Sequence, residues 1–342
     1  MAPNAAGPLP NPPPEYRERE KDVVLSVRDL KVVFDTVHGV TRAVRGVSFD
    51  LPRGKTVALV GESGSGKSVT SYSILRLIQR PGRIAGGEVL FTDKSGRTID
   101  IAKLTDKSDE LFRLRGGKIS MIFQEPMTAL SPVHTVGNQI TEAVLLHRSQ
   151  DKKEAEAIAE DMLARVGITD VKRRMKQYPF EFSGGMRQRV VIAIALVCQP
   201  EILIADEPTT ALDVTVQAQI LRLIKDLQEQ MGTSVLFITH DLGVVAQVAD
   251  HVAVMKQGMI VERSGVKHLF EAPMHPYTRE LLAAVSFESG GVTEDCPAAD
   301  PPRDGWQFDE PPDPTAEPLL HDMGDERHLL LWPNQMTQER SV

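Results

Sequence analysis

Short apolar stretches alternate with polar turns through most of this 342-residue chain. Runs near 24–34, 44–50, 56–60, 119–123, 202–205 and 235–239 have the length and apolar content of strands. Thr56-Val57-Ala58-Leu59-Val60 and Ile202-Leu203-Ile204-Ala205 read as buried ones. From Val69, apolar residues recur at Ile74, Leu75 and Ile78 as on a helix. Val136-Ile140-Val144 and Ile158-Met162-Leu163-Val166 repeat helical spacings between Gln124 and Ser183. Met186 to Leu196 is a further helical run, led by Ser183 as its N-cap. These patterns predict an α/β molecule whose strand-rich core accepts a helical insert at about 125–195.

Both ends depart from this alternation. Residues 1–20 are rich in Pro, Ala and Asn near the start, lack an apolar core and are expected to be disordered. From Ser286 acidic residues outnumber basic ones, and seven prolines fall between 297 and 318. Residues 286–342 are therefore read as a disordered acidic extension. Within it Leu329-Leu330-Leu331-Trp332-Pro333 is read as a stray apolar patch of a solvated tail, docking on the core or on a partner being the other possibility.

The turn after the 56–60 strand carries the first chemistry. Gly61-Glu62-Ser63-Gly64-Ser65-Gly66-Lys67-Ser68 fits G-x-x-x-x-G-K-[ST] between a strand and a helix that begins near Val69. Its glycines let successive N–H groups converge on phosphate oxygens at a helix N-terminus. Lys67 supplies positive charge to the β- and γ-phosphates, and the Ser68 hydroxyl can ligate Mg²⁺. A second feature is the carboxylate pair Asp206-Glu207 at the carboxyl end of the 202–205 strand, where ligands of open parallel sheets sit. Asp206 is assigned to the metal and Glu207 to general-base work on the attacking water.

Ser183-Gly184-Gly185 opens a helix and forms a second phosphate site of the same physical type. Two such sites are redundant for one nucleotide. They fit together when the Ser183 segment of each chain closes over the nucleotide on its partner's Lys67 loop.

Together these motifs resemble the ATP-binding cassette (ABC) subunits of membrane transporters, from about residue 21 to 285. The resemblance implies a P-loop NTPase (RecA-like) core with an antiparallel β subdomain and the inserted helices. It also implies ATP and Mg²⁺ as cofactors, with Gln124 near the metal and water, His240 at the γ-phosphate and Asp213 signalling across a head-to-tail dimer. The adenine-stacking position falls on Phe34 or His38. Phe182-Ser183-Gly184-Gly185-Met186-Arg187-Gln188-Arg189 departs from the family's usual Leu-Ser-Gly-Gly-Gln and is similar to the oligopeptide and dipeptide permease branch. The 124–132 stretch and His275-Pro276-Tyr277-Thr278 resemble that branch too. Its members import peptides, nickel, opines and oligosaccharides, so the cargo stays open.

By this resemblance the partners are two membrane-spanning permease subunits, a second ABC ATPase subunit and an extracytoplasmic solute-binding protein, on the cytoplasmic face of the inner membrane. A soluble cassette ATPase outside transport and a regulatory cassette that only binds nucleotide are the alternatives. A net charge of −8 argues against broad nucleic-acid binding. The longest apolar run, Val190 to Cys198, is too short to span a bilayer. The two cysteines, Cys198 and Cys296, cannot supply the four-cysteine iron–sulfur cluster common in this branch and fit a reducing compartment.

Overall fold

Val23–Thr36 (β1) and Gly39–Pro52 (β2) pair antiparallel, and Gly82–Thr92 (β4) and Thr98–Asp100 (β5) extend the sheet in the order β2-β1-β4-β5. The computed structural model that shows this describes residues 22–37, 39–124, 129–210, 212–288, 306–308 and 318–333. In β1 the burial alternation breaks between Val27 and Leu30, where Asp29 takes a left-handed φ of 45° and the register with β2 shifts.

The second sheet holds the core. Thr56–Val60 (β3), Ile119–Ile122 (β6), Ile202–Asp206 (β7), Ser234–Thr239 (β8) and His251–Lys256 (β9) run parallel in the order β6-β7-β8-β3-β9. Every residue of β3, β7 and β8 is buried, because both faces of a parallel sheet are covered. The registers Val60↔Thr239 and Asp206↔Ile238 bring three strand ends to one edge. The loops after β3, β7 and β8 therefore emerge side by side. Glu201 ties the two sheets together: one buried carboxylate oxygen accepts from Arg53 at 3.1 Å and the other from Lys118 at 2.9 Å.

Lys67–Ile74 (α1) follows β3. It is shorter than the 69–78 periodicity predicts, since Leu75 caps it and Arg76 turns left-handed with φ 51°. Asp109–Leu114 (α2) then precedes β6. Val136–His147 (α3), Lys152–Arg165 (α4) and Val171–Arg174 (α5) make the insert, and Gly184–Leu196 (α6) returns the chain to β7. Thr135 and Asp151 cap α3 and α4 by accepting backbone N–H bonds. Val136, Ile140 and Val144 pack with Ala159, Met162, Leu163 and Val190 in one cluster that also reaches Ala205 and Phe237. The insert thus shares its core with the central sheet. Cys198 lies just past α6 rather than within it; it is half-buried, and burial pushes its thiol up to about 11.

Val214–Met231 (α7) and Leu242–Val248 (α8) complete the crossovers, and Met259–Gly265 (β10) pairs antiparallel with β9. Val266–Glu271 (α9) and Pro276–Glu288 (α10) follow. Among the described residues no helix is long and apolar enough to cross a membrane.

Within the acidic extension the described residues 306–308 and 318–333 depart from the disordered, solvated tail expected there. Trp306–Gln307 (β11), Leu319–Gly324 (β12) and Arg327–Pro333 (β13) are strands, and β13 pairs with β10 at Glu262↔Leu329 and Arg263↔His328. Leu329, Leu331 and Trp332 are buried. The physical reason is the unpaired edge of β10, which offers backbone partners and an apolar face to a four-residue apolar run. Residues 1–20, also expected to be disordered, lie outside the described residues, as does Cys296.

Candidate functional site

The loop after β3 wraps the ammonium of Lys67. Lys67 Nζ donates to the Gly61 carbonyl at 2.7 Å and the Glu62 carbonyl at 2.8 Å, and Ser65 Oγ stands 3.5 Å away. A β-carbon on Gly61 would stand 2.1 Å from the Met255 carbonyl, and one on Gly66 2.6 Å from that of Ala43, so neither position admits a side chain. Gly64, with φ 82°, borders open space. Glu62 and Ser63 are exposed, Ser65 is buried, and Val69 packs against the core behind the loop. Burial lowers the Lys67 pKa, against the opposing charges of Glu207, Asp206 and Glu62.

The first turn of α1 faces the end of β7. Ser68 Oγ donates to Asp206 Oδ1 at 3.2 Å, while Asp206 Oδ2 is buried with no hydrogen-bond partner among the described residues. Burial, reinforced by the charge of Glu207, pushes the Asp206 carboxyl up to about 6 despite Ser68 and Lys67. A hydroxyl and a desolvated carboxylate oxygen form the hard-oxygen donor set that suits Mg²⁺, and a cation would relieve the orphaned oxygen.

Glu207 is the hub. Its Oε2 accepts from Gln124 Nε2 at 2.9 Å and Thr210 Oγ1 at 3.0 Å, and its Oε1 pairs with His240 Nδ1 at 3.0 Å. Burial raises this carboxyl's pKa, but the bonds from His240, Thr210 and Gln124 outweigh it and hold the group below its ordinary value. Two adjacent carboxylates are thereby driven in opposite directions, the pattern that separates acid, base and ligand roles. Glu207 itself has a left-handed φ of 46°, a conformation that costs roughly 1–2 kcal/mol in a non-glycine residue. Its N–H donates to the Ile238 carbonyl at 2.9 Å, which helps hold that turn.

The structure thus brings Lys67, Ser68, Asp206, Glu207, Gln124 and His240 to one edge of the sheet. Other predicted residues have other neighbours. Ser183 caps α6, with Oγ accepting from Met186 N at 3.4 Å, and Ser183 and Gly184 are exposed. Gly185 sits against Val216 of α7. Among the described residues no hydrogen bond joins this helix start to the Lys67 group. Asp213 is the N-cap of α7, accepting from Val216 N at 2.9 Å. Phe34 is half-buried in β1 and lies over Gly82, where a β-carbon would come within 2.6 Å of its ring. His38 lies outside the described residues.

The model of the ABC transporter family matches residues 44–210. The dipeptide transport ATP-binding protein DppD of Bacillus subtilis is 56% identical over 263 residues, spanning 77% of this chain and 76% of that one. The chain belongs to the ABC transporter family. As an ABC subunit it is an ATP-binding protein with ATPase activity. It is also 54% identical to the oligopeptide transport ATP-binding protein OppD of Bacillus subtilis, over 79% of this chain and 74% of that one. Among solved structures it is similar to the dimeric structure of MJ0796, a bacterial ABC transporter cassette, with a TM-score of 0.61 and 28% identity. That match covers 71% of this chain and 98% of the other.

Thr210 and Tyr277 are contacts that sequence reasoning on this ABC subunit misses. Thr210 reaches Glu207 because the left-handed turn at 207 folds the next three residues back, as Thr210 N bonding to Glu207 O also shows. A Glu-Pro-Thr-Thr turn at a strand end is the available signal. Tyr277 accepts from Glu62 N at 3.2 Å, a contact between distant segments with no local signature.

Proposed function

We propose that this ABC subunit uses ATP hydrolysis to power import of peptides or related small solutes through two membrane-spanning permease subunits. It would lie peripherally on the cytoplasmic face of the membrane, with an extracytoplasmic solute-binding protein delivering the cargo. Supporting the cargo class are relatives named for dipeptide and oligopeptide transport.

One observation carries the hydrolytic part: the ionised Glu207 is fixed by Gln124, Thr210 and His240 beside a desolvated Asp206. In this reading Lys67 and the loop amides from Gly61 to Val69 hold the phosphates of ATP. Ser68 and Asp206, with Gln124 nearby, would hold Mg²⁺, whose charge when bound neutralises phosphate oxygens. Glu207 takes the proton of the attacking water, and His240 and Gln124 orient the groups around it. Phe34 or His38 covers the adenine.

A second ATP-binding subunit pairs head to tail with the first. The exposed Ser183 helix start, which makes no hydrogen bond to its own Lys67 group among the described residues, then closes on the partner's nucleotide, while Asp213 lies at the same junction. The dimeric solved structure of MJ0796 supports such pairing. The test is uptake of labelled peptides into vesicles carrying the assembled permease. ATP-dependent uptake abolished by Lys67→Ala is expected, and uptake that ignores this substitution refutes the proposal.

A further inference from the structure

The His-Pro-Tyr-Thr segment at 275–278 has no part in the hydrolytic site, yet it touches the phosphate loop. Tyr277 is buried, and its hydroxyl accepts the Glu62 N–H at 3.2 Å. That N–H belongs to the same planar peptide as the Gly61 carbonyl, which accepts from Lys67 Nζ at 2.7 Å. One peptide group is therefore held at both ends, by a phenol on one side and the loop lysine on the other. The Glu62 carbonyl, one residue on, takes a second bond from Lys67 at 2.8 Å.

Tyr277 is itself held by the residues around it. Its backbone N–H donates to His275 Nδ1 at 3.1 Å, which requires that nitrogen to be unprotonated; burial lowers this imidazole to about 4, keeping it neutral. The Met274 and His275 N–H groups each donate at 2.9 Å to the carboxylate of Glu262, a fully buried residue of β10. Lys256 Nζ stands 4.8 Å over the Tyr277 ring, and Phe308 of the extension meets His275 edge-on at 5.2 Å.

We propose that Tyr277 is a positioning residue for nucleotide binding: it fixes the Gly61–Glu62 peptide, and through that peptide sets where Lys67 points. The inference rests on the reading of Lys67 as the phosphate-binding lysine. Its test is Tyr277→Phe, which keeps the ring and removes only the hydroxyl. In the full chain with Mg²⁺ and a fluorescent ATP analogue, loss of one hydrogen bond to the loop is expected to weaken binding about two- to tenfold. In the assembled transporter KM for ATP should rise by a similar factor while kcat changes less than twofold. Unchanged nucleotide affinity overturns the inference, and so does a lowered melting temperature with unchanged affinity, which would make Tyr277 a packing residue alone. Lys67→Ala separates the two readings. If it binds nucleotide like wild type, the phosphate-site reading fails; if it loses binding while Tyr277→Phe does not, only the present inference fails.

Discussion

Glu207→Gln isolates proton acceptance from shape. The carboxylate serves as acceptor for Gln124 and Thr210 on one oxygen and meets His240 on the other. After substitution the amide oxygen can keep the Gln124–Thr210 side, and the amide nitrogen can donate to His240 Nδ1 in the tautomer that leaves that nitrogen bare. The network survives with weaker bonds, so folding stability falls by about 1–2 kcal/mol at most. The rate effect is larger. Losing a positioned general base costs about 10²- to 10⁴-fold, equivalent to roughly 3–5 kcal/mol of barrier. Nucleotide binding holds or tightens, because Lys67 bonds to Gly61, Glu62 and Ser65 rather than to Glu207, and the charge of Glu207 opposes a phosphate nearby. Phosphate release in the assembled transporter at saturating Mg-ATP, paired with equilibrium binding of a fluorescent ATP analogue, separates the two effects. The expected outcome is intact or tighter binding with turnover down at least a hundredfold. Turnover within tenfold of wild type would refute Glu207 as the base.

Two other substitutions address the neighbouring carboxylate and the extension. Asp206 rises from 3.8 to about 6 on folding, so the folded chain keeps this proton to higher pH than the unfolded chain does. The group therefore costs nothing below about pH 4, and it withdraws roughly 3 kcal/mol of stability as pH climbs to about 6 and beyond. In metal- and nucleotide-free protein, Asp206→Asn should gain stability over wild type at pH 7.5 compared with pH 4 in urea unfolding; a pH-independent difference would contradict this. Trp332 is 3% exposed and packs with Val261, Leu269 and Tyr277. Trp332→Ala is expected to cost about 3–5 kcal/mol of hairpin docking. Hydrogen exchange of the β13 amides reads this loss, and unchanged protection would show that the hairpin does not depend on the ring.

Which parts were legible follows from the range of the interactions that make them. The Gly61–Ser68 loop is set by local backbone sterics and by a strand–turn–helix order, all contained within a dozen residues, and it stands where the spacing places it. Asp206, Glu207, Gln124 and His240 each sit at the end of a recognisable apolar strand, so a parallel sheet with aligned ends brings them together. The α1 helix is overextended by its periodicity because Leu77 and Ile78 pack on the same core cluster from outside the helix. β9 and β10 carry weaker local signals: His251 and Lys256 close the ends of β9, charged residues interrupt β10, and only pairing with β3, nearly two hundred residues earlier, makes their placement necessary. The hairpin at 319–333 is the extreme case. Prolines and acids around it satisfy the compositional rule for disorder, yet that rule weighs a segment against water alone. An unpaired strand edge changes the reference, since β10 supplies backbone partners and the buried Val261 beside Leu330 and Trp332. Composition predicts whether a segment folds alone; it is silent on whether a ready edge will fold it.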